Sequence, residues 1–421
     1  MENREIKREF YLSKLIEKKG NGFIKVITGI RRCGKSYLVF KQFKNHLLLN
    51  GVDKEHIFEM VFDDRRNAKY RNPDVFDELV DSQIGDGGIY YILLDEVQML
   101  DDFEGVLNGL LRRHEVDIYV TGSNAKFLSR DVITEFRGRG DEVHLNPLSF
   151  SEFMSAYDGN KYDGWNEYVQ FGGLPPVVLQ QNTESKIKTL NDLNKETYIR
   201  DITSRHNIRN KAEFEELLNV LASGIGALAN PTKLADTFKT KKKIKISKNT
   251  IDSYIDYLID AFLVEKAQRY DIKGKKYIDT PFKYYFSDIG LRNAQIGFRQ
   301  IEETHIMENV IYNELRIRGY NVDIGVVNTA ELKSDGKKQK KQLEIDFVCN
   351  KASKRYYIQS AFALPDSKNT EQEQKSFLKI NDSFKKVIIT KDVPGPWYTE
   401  EGVLITGLFD FLLDKESLEK I

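Results

Sequence analysis

At 421 residues the chain exceeds what one ordinary hydrophobic core holds, so two or three domains are expected. A composition 40% hydrophobic and 30% charged, with 25 Phe and 21 Tyr, excludes a disordered chain, and 64 basic against 64 acidic residues leave no global charge to pull it onto nucleic acid or membrane. Cys33 and Cys349 lie too far apart in sequence to suggest a disulfide scaffold, no apolar run reaches the roughly 18 residues of a membrane span, and the charged start has no signal-peptide core, which together suit a reducing cytoplasm.

In chain order, residues 23–28 form an apolar, β-branched run, a glycine-bearing loop follows, and residues 37–49 carry apolar positions at helical spacing: one βα unit. Further strands are expected at 59–63, 88–95 and 116–121, and continuous apolar strands separated by helical patterns indicate a parallel sheet buried on both faces. The cluster FGGLPP at 171–176 breaks the pattern and marks a boundary zone. Between 231 and 286, two short helices precede strand-like runs around the KGKK of 273–276, the order of a winged helix. From Met307 onward, a helix and then strands near 343–349, 355–360 and 386–390 read as a third α/β unit. The expected division is a P-loop ATPase domain at 1–155, a helical lid or linker at 156–210, a winged helix at 211–292 and an α/β unit at 300–421.

Gly29-Ile30-Arg31-Arg32-Cys33-Gly34-Lys35-Ser36 fits G-x-x-x-x-G-K-[ST] between a strand and a helix opened by Tyr37, the context that gives the pattern its meaning. The glycines let backbone N–H groups turn inward on a phosphate, and the helix presents its positive end to the same anion. Lys35 would reach the β- and γ-phosphates of ATP and Ser36 would ligate Mg²⁺. Asp95, ending the run YYILLD, is placed to hold Mg²⁺ through water, and Glu96 to polarise the attacking water. At the end of the next strand, Ser123 is favoured to touch the γ-phosphate or the water, with Asn124 beside it; a turn there for its conformation alone is the plainer reading. Arg137 and Arg139, in FRGRG, suit presentation of a guanidinium to a phosphate on their own site or a neighbouring subunit's, or form surface salt bridges.

KVITGIRRCGKS, YYILLDEVQ, YVTGSN, the stretch 136–153 and FGGLPPV together resemble the prokaryotic AAA-type ATPases that carry a C-terminal domain of unknown function. KISKNTIDSYIDYLIDAFLV, KYYFSDIGLRNA, ENVIYNELRIRGYNV and LEIDFV follow in that family's order, so the resemblance covers most of the chain. It implies an AAA-like ATPase, then a winged helix, then a domain resembling the restriction-nuclease fold.

Lys239, Lys241, Lys242, Lys243, Lys245 and Lys248 precede or open the expected recognition helix, and Lys273, Lys275 and Lys276 fall in its wing, a clustering suited to the phosphates of double-stranded DNA. Ile251, Tyr254, Ile255, Leu258, Ile259 and Phe262 are expected to turn one face of that helix inward, so the lysines also fit a solvated outer face, and a winged helix also serves protein partners. In the last unit, Glu308 and Asp346 match the first two acids of a restriction-type nuclease, but Gln359 and Ala361 stand where that chemistry needs Glu and Lys, so a degenerate fold used for binding or assembly is expected. The six histidines show no metal-ligand spacing. The leading expectation is an ATP-driven switch acting on DNA; its rivals are a nucleotide-controlled scaffold for a protein partner or for self-assembly, and an ATP-regulated nuclease.

Overall fold

The computed structural model describes residues 5–85, 87–122, 138–242, 246–332, 338–393 and 395–420. Two compact units emerge: Met1–Pro147 with Asp260–Phe262, and Leu148–Ile259 with Leu263–Ile421. Among the described residues no helix is long and apolar enough to cross a membrane.

The first unit contains helix α1 (Glu9–Glu17), strand β1 (Ile24–Thr28), the helix α2 built of Lys35–Tyr37, Leu38–Phe43 and Lys44–Leu49, then β2 (Ile57–Val61), α3 (Pro73–Asp81), β3 (Tyr90–Asp95), α4 (Phe103–Leu110), β4 (Val116–Thr121) and β5 (Gly140–His144). The middle segment of α2 has π-helical hydrogen bonding. Every residue of β1 and β3 is buried, as expected of strands covered on both faces. Lys25, inside β1, is tolerated there because its ammonium pairs with buried Asp117 and bonds the Phe23 carbonyl at 3.0 Å.

All strand pairs of this sheet are parallel and the order is β2-β3-β4-β1-β5. The register aligns Ile27 with Thr121 and Val61 with Asp95, so the carboxyl ends of β1, β2, β3 and β4 open on one edge, where α/β sheets bind ligands. Because β4 lies between β1 and β3, its last residue sits between the loop after β1 and the acid ending β3. The core beneath includes Ile92, Leu94, Ile118, Val120, Phe62 and Phe76. Strand β5 was not expected from the sequence: it lies at the sheet edge and GDEVH has one buried residue, so it lacks an apolar run.

The second unit begins with α5 (Phe150–Ala156), whose capping box joins Ser149 and Glu152, and α6 (Lys161–Phe171). Later come α7 (Pro231–Thr237), α8 (Lys248–Asp260), the hairpin β6 (Val264–Asp271) and β7 (Lys276–Phe286), α9 (Ile289–Gln295), α10 (Glu303–Ile317), β8 (Asn321–Leu332), β9 (Lys338–Lys351), β10 (Lys354–Ala361), α11 (Ser367–Gln374), β11 (Lys385–Thr390), β12 (Trp397–Tyr398) and β13 (Leu404–Gly407). One eight-stranded mixed sheet has the order β12-β13-β11-β10-β9-β8-β6-β7. The hairpin whose turn holds Lys273 and Lys275 is therefore continuous with the strands after residue 320, joined through parallel pairs of β6 with β8 at Arg269, Tyr270 and Asp271.

The FGGLPP cluster is held inside this unit. The carboxylate of Asp288 accepts from Gly173 N at 2.8 Å and Leu291 N at 3.0 Å, and a Cβ on Gly172, where φ is +73°, would lie 2.5 Å from that carboxylate. Asn309 on α10 exchanges two 2.8 Å bonds with the backbone of Phe286, fixing the end of β7 to that helix.

Candidate active site

The loop after β1 opens at Gly29, where φ is +132° and a Cβ would lie 2.1 Å from the Leu145 carbonyl oxygen, so no larger residue fits. Arg32 (φ +65°) and Gly34 (φ +104°) take left-handed backbone, turning the loop tightly before Gly34 caps α2. Arg8 braces it from behind: the buried guanidinium donates to the Cys33 carbonyl at 3.0 Å and to that of Asn146 at 2.8 Å. Lys35, 5% exposed, curls into the loop and donates to the carbonyls of Gly29 at 2.9 Å and Ile30 at 3.1 Å. Ile30 and Cys33 are buried, Arg31 is half-buried, and Arg32, Ser36 and Tyr37 face solvent.

Asp95, at the end of β3, accepts at Oδ1 from the Ser36 hydroxyl at 2.9 Å and also from the Thr121 hydroxyl. Burial raises the Asp95 carboxyl above its ordinary value, with the charges of Glu96 and Asp63 adding and the two hydroxyl bonds opposing. Glu96 has left-handed backbone (φ +52°); its N–H donates to Thr121 Oγ1 at 3.2 Å and its carboxylate accepts from Gln98 Nε2. Thr121 thus links both acids. The sequence reading passed over it for Ser123 and Asn124, which with Arg137 lie outside the described residues; its signal was a hydroxyl at the end of a buried strand lying between the loop strand and the acid strand.

Arg139 is exposed, and its carbonyl accepts from Ile24 N at 2.8 Å. Since Ile24 starts β1 and the loop follows Thr28, Arg139 sits at the opposite end of the sheet from the phosphate loop. Lys273 and Lys275 are exposed in the turn between β6 and β7, Lys276 is exposed at the start of β7, and Lys248 opens α8 with its ammonium 3.9 Å from Asp252. Lys241 and Lys242 end the helical segment Phe238–Lys242, and Lys243 and Lys245 lie outside the described residues.

In the second unit, Glu308 on α10 and Asp346 on β9 do come together, around a residue the sequence reading missed. Lys283 of β7 places its ammonium 2.9 Å from Glu308 Oε1, 2.8 Å from Glu344 Oε1 and 3.8 Å from Asp346 Oδ1. Burial raises the Asp346 carboxyl above its ordinary value, Glu308 adds to the shift, and Lys283 and the Ser360 N–H oppose it. Gln359 Oε1 lies 3.4 Å from Asp346 N, and Ala361 is buried. Among the described residues no group of three or more His, Cys, Asp or Glu side chains is arranged to hold a metal ion.

Residues 21–154 match the family model of an AAA domain, and residues 162–302 match that of a domain of unknown function, DUF8612. The chain is 34% identical over 422 residues to an uncharacterized protein of Haemophilus influenzae, spanning 98% of this chain and 100% of that one. It is 27% identical over 393 residues to an uncharacterized protein of Methanocaldococcus jannaschii, spanning 88% of this chain and 82% of the other. A Walker-type ATPase of Pyrococcus abyssi is similar in structure with a TM-score of 0.48 at 16% identity, covering 69% of this chain and 96% of that one.

Proposed function

The chain belongs to the same family as the Haemophilus influenzae protein and carries an AAA-type P-loop domain, and on that premise we propose that it is an ATP-hydrolysing switch whose second unit acts on DNA. The observation that carries the ATPase reading is the convergence of Lys35, Ser36, Asp95, Thr121 and Glu96 at one sheet edge, with Ser36 and Thr121 both bonded to Asp95 Oδ1.

The residues fit ATP with Mg²⁺. The Lys35 ammonium rests on loop carbonyls, an exchangeable arrangement that leaves it a full charge to give to phosphate oxygens. Ser36 and Asp95 supply the hard oxygen donors that Mg²⁺ prefers. When bound, Mg²⁺ would neutralise charge developing on the phosphate oxygens. Asp95 is held by two hydroxyls and keeps the metal side of the site oriented, while Glu96, one residue on, takes a proton from water. Its left-handed backbone and the Thr121 bond fix the direction in which its side chain leaves the strand.

For the second unit, the sequence of α7, α8 and the β6–β7 hairpin supports a winged-helix reading, and the exposed lysines of its turn support contact with phosphates. Residues 300–421 are read as a nuclease-like α/β unit used for binding, since Gln359 and Ala361 stand where the nuclease pattern has Glu and Lys. The position of Arg139 away from its own phosphate loop argues against action there, so a phosphate contact by Arg139 would require a neighbouring copy in a homo-oligomer.

ATP hydrolysis by the full chain, with and without duplex DNA at low and moderate salt, tests this reading. Stimulation by DNA that fades with salt is expected; turnover indifferent to DNA would refute the coupling, and absence of turnover under all conditions would refute the ATPase.

A further inference from the structure

The acid cluster of the second unit already contains a cation. Four side chains from three elements converge there: Lys283 from β7, Glu308 from α10, and Glu344 and Asp346 from β9. The Lys283 side chain is 5% exposed, and those of Glu308 and Asp346 are 12% and 11% exposed. Lysine is rarely so buried without partners, and here its ammonium has two carboxylates within hydrogen-bond reach and a third close by.

The acceptor sites facing Lys283 are largely taken. Glu308 Oε1 accepts from Lys283 at 2.9 Å and from the Tyr285 hydroxyl at 2.6 Å. Asp346 Oδ2 accepts from Ser360 N at 2.8 Å, while its Oδ1 faces Lys283. A divalent ion ligated by the same oxygens at roughly 2.0 to 2.6 Å would be forced against the ammonium, a like-charge contact in a buried setting. Access is not the obstacle. A cavity of about 560 Å³, lined by Glu344 and Gln359 together with Lys341, Lys368 and Glu373, opens beside the cluster.

We propose that Lys283 is the resident cation of this centre, standing where a nuclease-like site would take a divalent metal, so that the second unit works without one. The lysine arrives from the β6–β7 hairpin, far in sequence from Ala361, the position at which the sequence reading sought it. It also ties that hairpin to α10 and β9, which gives the cluster a role in holding the lysine-bearing turn against the rest of the unit.

The test is Mn²⁺ binding to the full chain without nucleotide or DNA, read from the paramagnetic resonance of free Mn²⁺, so that the ATP site does not contribute. The wild type and Asp346→Asn are expected to bind Mn²⁺ alike, showing no site that depends on Asp346. Lys283→Met is expected to gain one Mn²⁺ per chain, and Lys283→Met with Asp346→Asn to lose it again. Binding by the wild type that Asp346→Asn removes would overturn the proposal, and this comparison stands whether or not Lys283→Met folds. A folded Lys283→Met chain that gains no Mn²⁺ would overturn it equally.

Discussion

The Ser36 hydroxyl donates to Oδ1 of Asp95 at 2.9 Å, joining the first turn of the loop helix to the end of the acid strand. Thr121 donates to the same oxygen from the strand between them. A carboxylate held in this way is oriented before any ligand arrives. Asp95→Asn keeps the size but removes the charge, and ATP hydrolysis is expected to fall by roughly 10²-fold or more, with a melting profile close to wild type. Steady-state phosphate release alongside thermal unfolding checks both halves.

Gly29 and Gly20 make a matched pair. Both have positive φ, +132° and +68°, but a Cβ on Gly29 would lie 2.1 Å from the Leu145 oxygen, whereas Gly20 has open space. Gly29→Ala is expected to destabilise the first unit by about 3 kcal/mol or more, and Gly20→Ala by about 1 kcal/mol. Denaturant unfolding of the two variants side by side measures the difference; equal costs would contradict the tight approach to Leu145.

Much of the first unit was legible because burial on both faces writes itself as a near-continuous apolar run, as in YYILL of β3, and because the loop pattern sat between a strand and a helix. The placing of Lys35, Ser36, Asp95 and Glu96 after buried strands could be read for that reason. Strand β5 could not, since an edge strand needs few apolar residues. Nor could Lys283 and Glu344, which meet Glu308 and Asp346 only through tertiary folding, although a lysine inside the apolar run PFKYYF was a sign that a buried partner existed.

Asp288 gives the second unit a pH dependence. Burial raises its carboxyl from 3.8 to about 6, against the backbone N–H bonds that favour the charged form. A carboxyl raised on folding contributes stability that is fully present below about pH 4 and is lost as pH climbs through about 6, by about 3 kcal/mol at most. The wild type should therefore lose stability relative to Asp288→Asn between pH 4 and 6, and the two should run parallel above pH 7. Unfolding free energies measured across that range decide it; a wild type that gains on the variant as pH rises would reverse the sign.

The lysines in and beside the β6–β7 turn carry the DNA reading. Replacing Lys273, Lys275 and Lys276 with Glu should weaken duplex binding at least about 10-fold and reduce the slope of log affinity against log salt by roughly three, whatever the DNA sequence. Fluorescence anisotropy at several salt concentrations reads both. An unchanged slope would remove these residues from any phosphate contact.

Glu96 tests the central claim most directly. ATP binding and multiple-turnover hydrolysis are to be measured together for the wild type, Lys35→Ala and Glu96→Gln, all with Mg²⁺. The account predicts turnover by the wild type, no tight ATP binding by Lys35→Ala, and undiminished binding with turnover slowed about 10² to 10⁴-fold in Glu96→Gln. Hydrolysis by Glu96→Gln at the wild-type rate would contradict it.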